Sequence, residues 1–95
     1  MIIRVDFSAE YIRNLQELYS ENSIIKEEIE KRIKWFCKKP SDERLEDHPL
    51  RGELFGKQAF SITDDIRIVY KWVGKNRVKF LAIGGHSKVY GKKVN

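Results

Sequence analysis

Apolar residues along this chain recur first at the spacing of a strand, then of a helix, then of strands again. Ile2 to Phe7 reads as a short β-run, and Ser8 stands where a helix N-cap belongs. From Ala9 to Tyr19 the apolar residues Ile12, Leu15, Leu18 and Tyr19 fall at helical spacing. Asn22 or Ser23 can cap a second helix that runs to about Lys39, striped by Ile25, Ile29, Ile33 and Phe36, with Pro40 just past its basic end as a stop. The few residues between the two segments imply an antiparallel helical hairpin. From Ser41 to Gly56 the pattern dissolves into a polar loop containing Pro49, Gly52 and Gly56. Strands return at Gln58 to Thr63, Ile66 to Val73 and Arg77 to Ile83, separated by the turn-like Thr63-Asp64-Asp65 and Gly74-Lys75-Asn76.

Short connections make these last three strands an antiparallel meander. The expected fold class is therefore α+β: an N-terminal strand, a two-helix antiparallel hairpin, then a three-stranded antiparallel meander, with helices on one sheet face and the other face open. Alternation along the strand from Ile66 puts Ile68, Tyr70 and Trp72 with it on one face. The same alternation puts Asp65, Arg67, Val69 and Lys71 on the other. Asp65 and Arg67 are thus expected side by side on the open face.

Ninety-five residues make one domain, 1–95, and 41% hydrophobic content with 12% aromatics is enough for a packed core. No apolar run approaches the roughly 20 residues of a membrane span, and the N-terminus lacks the pattern of a signal peptide. With Cys37 as its one cysteine, the chain is expected to be a cytoplasmic globule without disulfide, membrane contact, metal or other cofactor.

Charge sharpens the picture. The chain carries 19 Lys+Arg against 14 Asp+Glu, yet after Asp65 there is no acidic residue. Arg67, Lys71, Lys75, Arg77, Lys79, Lys88, Lys92 and Lys93 all fall in that tract. A single-sign region attracts polyanions, of which nucleic acid is the commonest in a cytoplasm. The same tract also fits a solvated sheet edge guarded by lysines.

RNA can be cut without metal if a base takes the 2′-OH proton, an acid protonates the leaving 5′-oxygen, and cations stabilise the phosphorane-like transition state. His48 and His86, both in irregular segments beside basic residues, have the side chain suited to that work near neutrality. Taken singly, each could be a surface histidine, Asp65 a turn residue and Tyr90 a plug on the core.

Their order along the chain carries a resemblance. Asp47-His48-Pro49-Leu50-Arg51-Gly52, Gly56-Lys57, the run Phe60 to Tyr70 and Ile83-Gly84-Gly85-His86-Ser87-Lys88-Val89-Tyr90 together resemble the YafQ-like branch of the RelE/ParE toxin superfamily. The similarity spans nearly the whole chain and includes the order of elements. It implies the toxin of a type II toxin–antitoxin pair, a ribosome-dependent endoribonuclease acting on mRNA in the decoding site and neutralised by a cognate acidic antitoxin. Residue by residue it implies catalytic roles for His48, Asp65 and His86. It implies phosphate binding by Arg67 and Lys57, and base stacking by Tyr90. Ser61 stands where YafQ-like toxins carry a further histidine. Which of His48, Asp65 and His86 is base and which acid is left open. A ParE-like gyrase poison on the same fold and a basic RNA-binding domain that occludes without cutting are the competing readings.

Overall fold

The computed structural model describes residues 2–85 and Val89. Strand β1 (Arg4–Phe7) leads into α1 (Ala9–Glu21) and α2 (Ile25–Lys38). A two-residue strand β2 (His48–Pro49) follows, then β3 (Gln58–Ser61), β4 (Ile66–Gly74) and β5 (Arg77–Gly85). The five strands form one sheet in the order β1-β5-β4-β3-β2. The meander β3-β4-β5 is antiparallel as its short connections require, and β1 returns to pair in parallel with β5, Arg4 opposite Arg77 and Phe7 opposite Phe80.

Both helices lay their apolar faces on one side of this sheet. Tyr11, Ile25, Ile29 and Phe36 are buried among Phe60, Ile68, Tyr70, Val78, Phe80 and Ile83, with Leu15, Leu18 and Ile33 packed at the margin. Phe36 sits at the centre, stacked on Phe60 at 4.6 Å and meeting Tyr70 and Phe80 edge-on at 4.9 and 5.9 Å. The α2 stripe thus does what its spacing predicts.

The α1 stripe is rotated from expectation. Tyr11 and Asn14 take the buried positions and Ile12 is exposed. The reason lies at the sheet edge. Strand β1 runs out opposite Phe80, leaving the rest of β5 without a strand on that side. Ser8, the N-cap of α1, supplies one substitute: its hydroxyl donates to the Leu81 carbonyl at 2.9 Å while accepting from the Tyr11 N–H at 3.0 Å. Asn14 supplies the other, its Oδ1 accepting from the Ile83 N–H at 3.1 Å. A buried backbone N–H demands a partner, and that demand turns Asn14 rather than Ile12 inward.

The segment expected to be a polar loop contains two 3-10 turns and the short strand β2. Asp42 caps a 3-10 turn, Glu43–Leu45, by accepting from the Arg44 N–H, and its carboxylate also takes the Arg44 side chain. Arg44 lies over the Trp35 ring, 3.6 Å from its centroid, which ties this turn to α2. Leu45 is fully buried. A second 3-10 turn, Gly52–Leu54, and Gly56 at φ 93° bring the chain round to β3. Asn22, expected as a possible helix cap, instead holds the interhelix turn, its Oδ1 accepting from Ile24 N–H, and α2 begins without a side-chain cap.

The far side of the sheet is barer but not wholly open. Ala59, Val69 and Ala82 form a row of small apolar residues there, covered by Val89 and flanked by Leu50 and Leu81.

Candidate functional site

The strand registers sort the candidate residues by face. Ala59 pairs with Val69 and His48 with Ala59, so His48 stands at the end of the small apolar row on the side away from the helices. Two residues along, Ser61 pairs with Arg67 on that same face. Beyond the row in the other direction Lys71 and Lys79 face each other directly, and Lys57 lies immediately before β3. His48 and Arg67 lie two strand spacings and two residues apart, roughly 12 Å between backbones from ordinary sheet dimensions.

His48 reaches this position because its neighbours are anchored on either side. The half-buried Asp47 carboxylate points to the helix side, where it accepts from the Tyr70 hydroxyl and, at 2.8 Å, from Gln58 Nε2. Burial pushes the Asp47 carboxyl above its ordinary range, against the pull of the Tyr70 and Gln58 hydrogen bonds and the His48 charge. The same burial, with Asp47 beside it, pushes the Tyr70 phenol up. Alternation then sends His48 outward. Its Nδ1 lies 3.0 Å from the Glu46 carbonyl oxygen. A carbonyl only accepts, so Nδ1 is the donor in this contact and Nε2 is the ring nitrogen it leaves available.

Arg67 is equally constrained. Nη1 donates to the Ser61 hydroxyl and Nη2 to the Asp64 carbonyl at 3.4 Å. Ser61 is 4% exposed, and its hydroxyl donates onward to Glu46 Oε1 at 3.2 Å. Glu46 therefore touches both His48 and, through Ser61, Arg67. Sequence reasoning missed it, because its role depends on a backbone turn that no spacing announces.

Asp65 departs from expectation. It lies in the bend before β4, where Thr63 Oγ1 accepts the N–H groups of both Asp65 and Ile66, so strand alternation does not extend back to it. Its carboxylate instead lies against Gly85 and lines a cleft of about 170 Å³ with Asn14, Glu17 and Glu21 of α1. Asp65 and Arg67 thus do not share a face. His86 and Tyr90 lie outside the described residues.

A groove of about 610 Å³ runs along α2 past Ile2, Ile33, Trp35 and Cys37 and holds none of these candidates. Among the described residues no three His, Cys, Asp or Glu side chains are grouped to hold a metal ion, and no helix is long and apolar enough to cross a membrane.

No curated protein sequence matches this one. Solved structures do match its fold. YafQ from Escherichia coli BL21(DE3) superposes with a TM-score of 0.78 at 15% identity, over 94% of this chain and 99% of that one. The E. coli DinJ–YafQ toxin–antitoxin complex gives 0.76 at 17% identity, over 96% of this chain and 100% of the matched one. A YoeB/ParE toxin from Agrobacterium tumefaciens gives 0.75 at 19%, over 88% and 99%. At the level of sequence, the family described as the bacterial toxin of type II toxin–antitoxin system, YafQ, matches residues 3–91. With nearly the whole chain matched, this protein belongs to the YafQ family of type II toxin–antitoxin toxins.

Proposed function

We propose that this toxin is a ribosome-dependent endoribonuclease that cuts mRNA by general acid–base attack of the 2′-OH, with no metal in the reaction, and so halts translation. The supporting observation is the pairing of an outward His48 Nε2 with an oriented Arg67 guanidinium on one basic sheet face. His48 Nε2 takes the 2′-OH proton as O2′ attacks phosphorus. Arg67 and Lys57 neutralise the charge that grows on the non-bridging oxygens. His86 protonates the departing 5′-oxygen, leaving a 2′,3′-cyclic phosphate and a 5′-hydroxyl. Asp65, whose carboxylate lies against Gly85, is the alternative to His48 as the group that takes the 2′-OH proton. Tyr90 stacks on a base, worth about 1–3 kcal/mol in single-strand binders. The substrate is mRNA in the ribosomal decoding site, the place of action the cytoplasm, and the inhibitor a cognate acidic antitoxin, as the DinJ–YafQ complex suggests by likeness.

The test is primer extension on programmed ribosomes, followed by end-group analysis of the fragments. Cyclic phosphate ends made only when ribosomes are present support the reading. Intact mRNA with translation blocked would favour an occluding RNA-binding domain, and loss of DNA supercoiling activity would favour a gyrase poison.

A further inference from the structure

We propose that Glu46 is the positioning residue of this site, setting His48 through its backbone carbonyl and Arg67 through its carboxylate. The proposal rests on the cleavage reading above and adds a residue to it.

Glu46 is the one non-glycine with positive φ among the described residues, at 53°. Residues with a β-carbon seldom hold that conformation, and where they do the surrounding structure must enforce it. Here the enforcement is visible. Glu46 closes the 3-10 turn, its N–H donating to the Glu43 carbonyl at 3.2 Å, after Leu45 has been buried in the core. The left-handed step redirects the chain. Asp47 then turns inward to Tyr70 and Gln58, and His48 turns outward. The Glu46 carbonyl is left facing His48 Nδ1 and its side chain facing Ser61.

Two consequences for the chemistry follow. The carbonyl fixes the tautomer in which Nε2 is the basic atom, a task usually given to the group on the far side of a catalytic imidazole. The carboxylate accepts from the Ser61 hydroxyl, which makes that hydroxyl's lone pair available to Arg67 Nη1. Arg67 commits one N–H of each terminal nitrogen, to Ser61 and to the Asp64 carbonyl, and keeps its remaining donors for a phosphate. Ser61 thus works here as a relay in an electrostatic chain from Glu46 to Arg67, with no need of a titratable side chain at that position.

The experiment compares cleavage by wild type, Glu46→Ala, Glu46→Gln, Ser61→Ala and the Glu46→Ala/Ser61→Ala double variant on programmed ribosomes, with a thermal melt of each. Displacing a positioned group by an ångström lowers rates by about 10²-fold, so Glu46→Ala and Ser61→Ala should each lose about that in kcat while melting near wild type. The double variant should lose no more than either single one, because both break the same chain. Glu46→Gln keeps an oxygen acceptor and should recover to within a few-fold of wild type. Glu46→Gly, whose backbone suits φ 53°, should fold at least as well as Glu46→Ala and be as slow. Wild-type cleavage by Glu46→Ala, additive losses in the double variant, or a Glu46→Gln as slow as Glu46→Ala would overturn the proposal. Should wild type itself not cut, the cleavage reading falls and nitrogen-15 NMR decides the relay alone. Resolved, slowly rotating Arg67 Nη signals that collapse in Glu46→Ala and Ser61→Ala support it, and signals unchanged in both refute it.

Discussion

The Phe36 ring meets the Tyr70 ring edge-on with centroids 4.9 Å apart, and through this contact α2 is keyed to the middle strand of the sheet. Both side chains are essentially without solvent exposure. Tyr70 in turn hydrogen-bonds Asp47, so the centre of the core and the segment that carries His48 are mechanically joined.

Phe36→Ala should accordingly destabilise the fold by about 3–5 kcal/mol, the usual range for removing a buried phenylalanine. In a domain of this size each kcal/mol lowers the melting midpoint by about 4–8 °C. A calorimetric melt only a few degrees below wild type would show that α2 is not the lid of the core.

Arg67→Lys should fall about 10²-fold in cleavage rate, nearly as far as Arg67→Ala. A lysine keeps the charge but cannot hold Ser61, the Asp64 carbonyl and a phosphate at once, since those contacts use the planar fork. Single-turnover cleavage on ribosomes reads the difference, and full activity in Arg67→Lys would reduce Arg67 to a point charge.

Asp42 supplies a pH signature. Its hydrogen bonds to the Arg44 side chain and backbone hold the carboxyl well below the ordinary 3.8, to about 2. A carboxyl whose pKa is depressed on folding contributes stability above its unfolded value, and that contribution is lost as pH falls from about 3.8 through about 2. Asp42→Asn should therefore melt below wild type at pH 6, and the gap should close on acidification toward pH 2. A gap that stays constant across that window would mean that the ion pair with Arg44 adds nothing.

His86→Ala should abolish mRNA cleavage and toxicity while leaving antitoxin binding and the melt intact. A positioned general acid contributes about 10²–10⁴-fold, so the loss should be plain in primer extension. A variant that cuts at wild-type rate would shift the acid's role to another group.

Antitoxin affinity should fall as ionic strength rises, because Arg67, Lys71 and Lys79 crowd one sheet face where Lys71 and Lys79 stand directly opposed. Like charges facing across strands are unfavourable until an anionic partner arrives. Calorimetric titration at increasing salt measures this, and an affinity indifferent to salt would point to an apolar interface, such as the groove beside Trp35.

The sequence pattern is most legible where packing alone decides. The stripe from Ile25 to Phe36 and the alternation in β4 read correctly, since every second or fourth position answers to one core. Legibility fails where a hydrogen bond outranks hydrophobicity. Asn14 takes an inward place from Ile12 to serve the Ile83 N–H, a need created by where β1 stops. The candidate site divides in the same way. Strand alternation puts Arg67 on the face away from the helices, as the register has it, whereas the alternation expected of Asp65 is cancelled by the Thr63 turn. Glu46 was invisible because nothing in the composition of Glu43-Arg44-Leu45-Glu46 marks the left-handed step.

The parallel pairing of β1 with β5 also bears on how this toxin comes into being. The hydrogen bond from Ser8 to Leu81 joins residues 73 positions apart. The sheet edge that seats α1 cannot close until the chain has been made through Leu81. Contacts this distant in sequence carry a large loop-closure entropy and slow the approach to the native state. A nascent chain therefore has its basic face unassembled until β5 has been made. The strand order thus sets an interval during synthesis in which the basic sheet face does not yet exist.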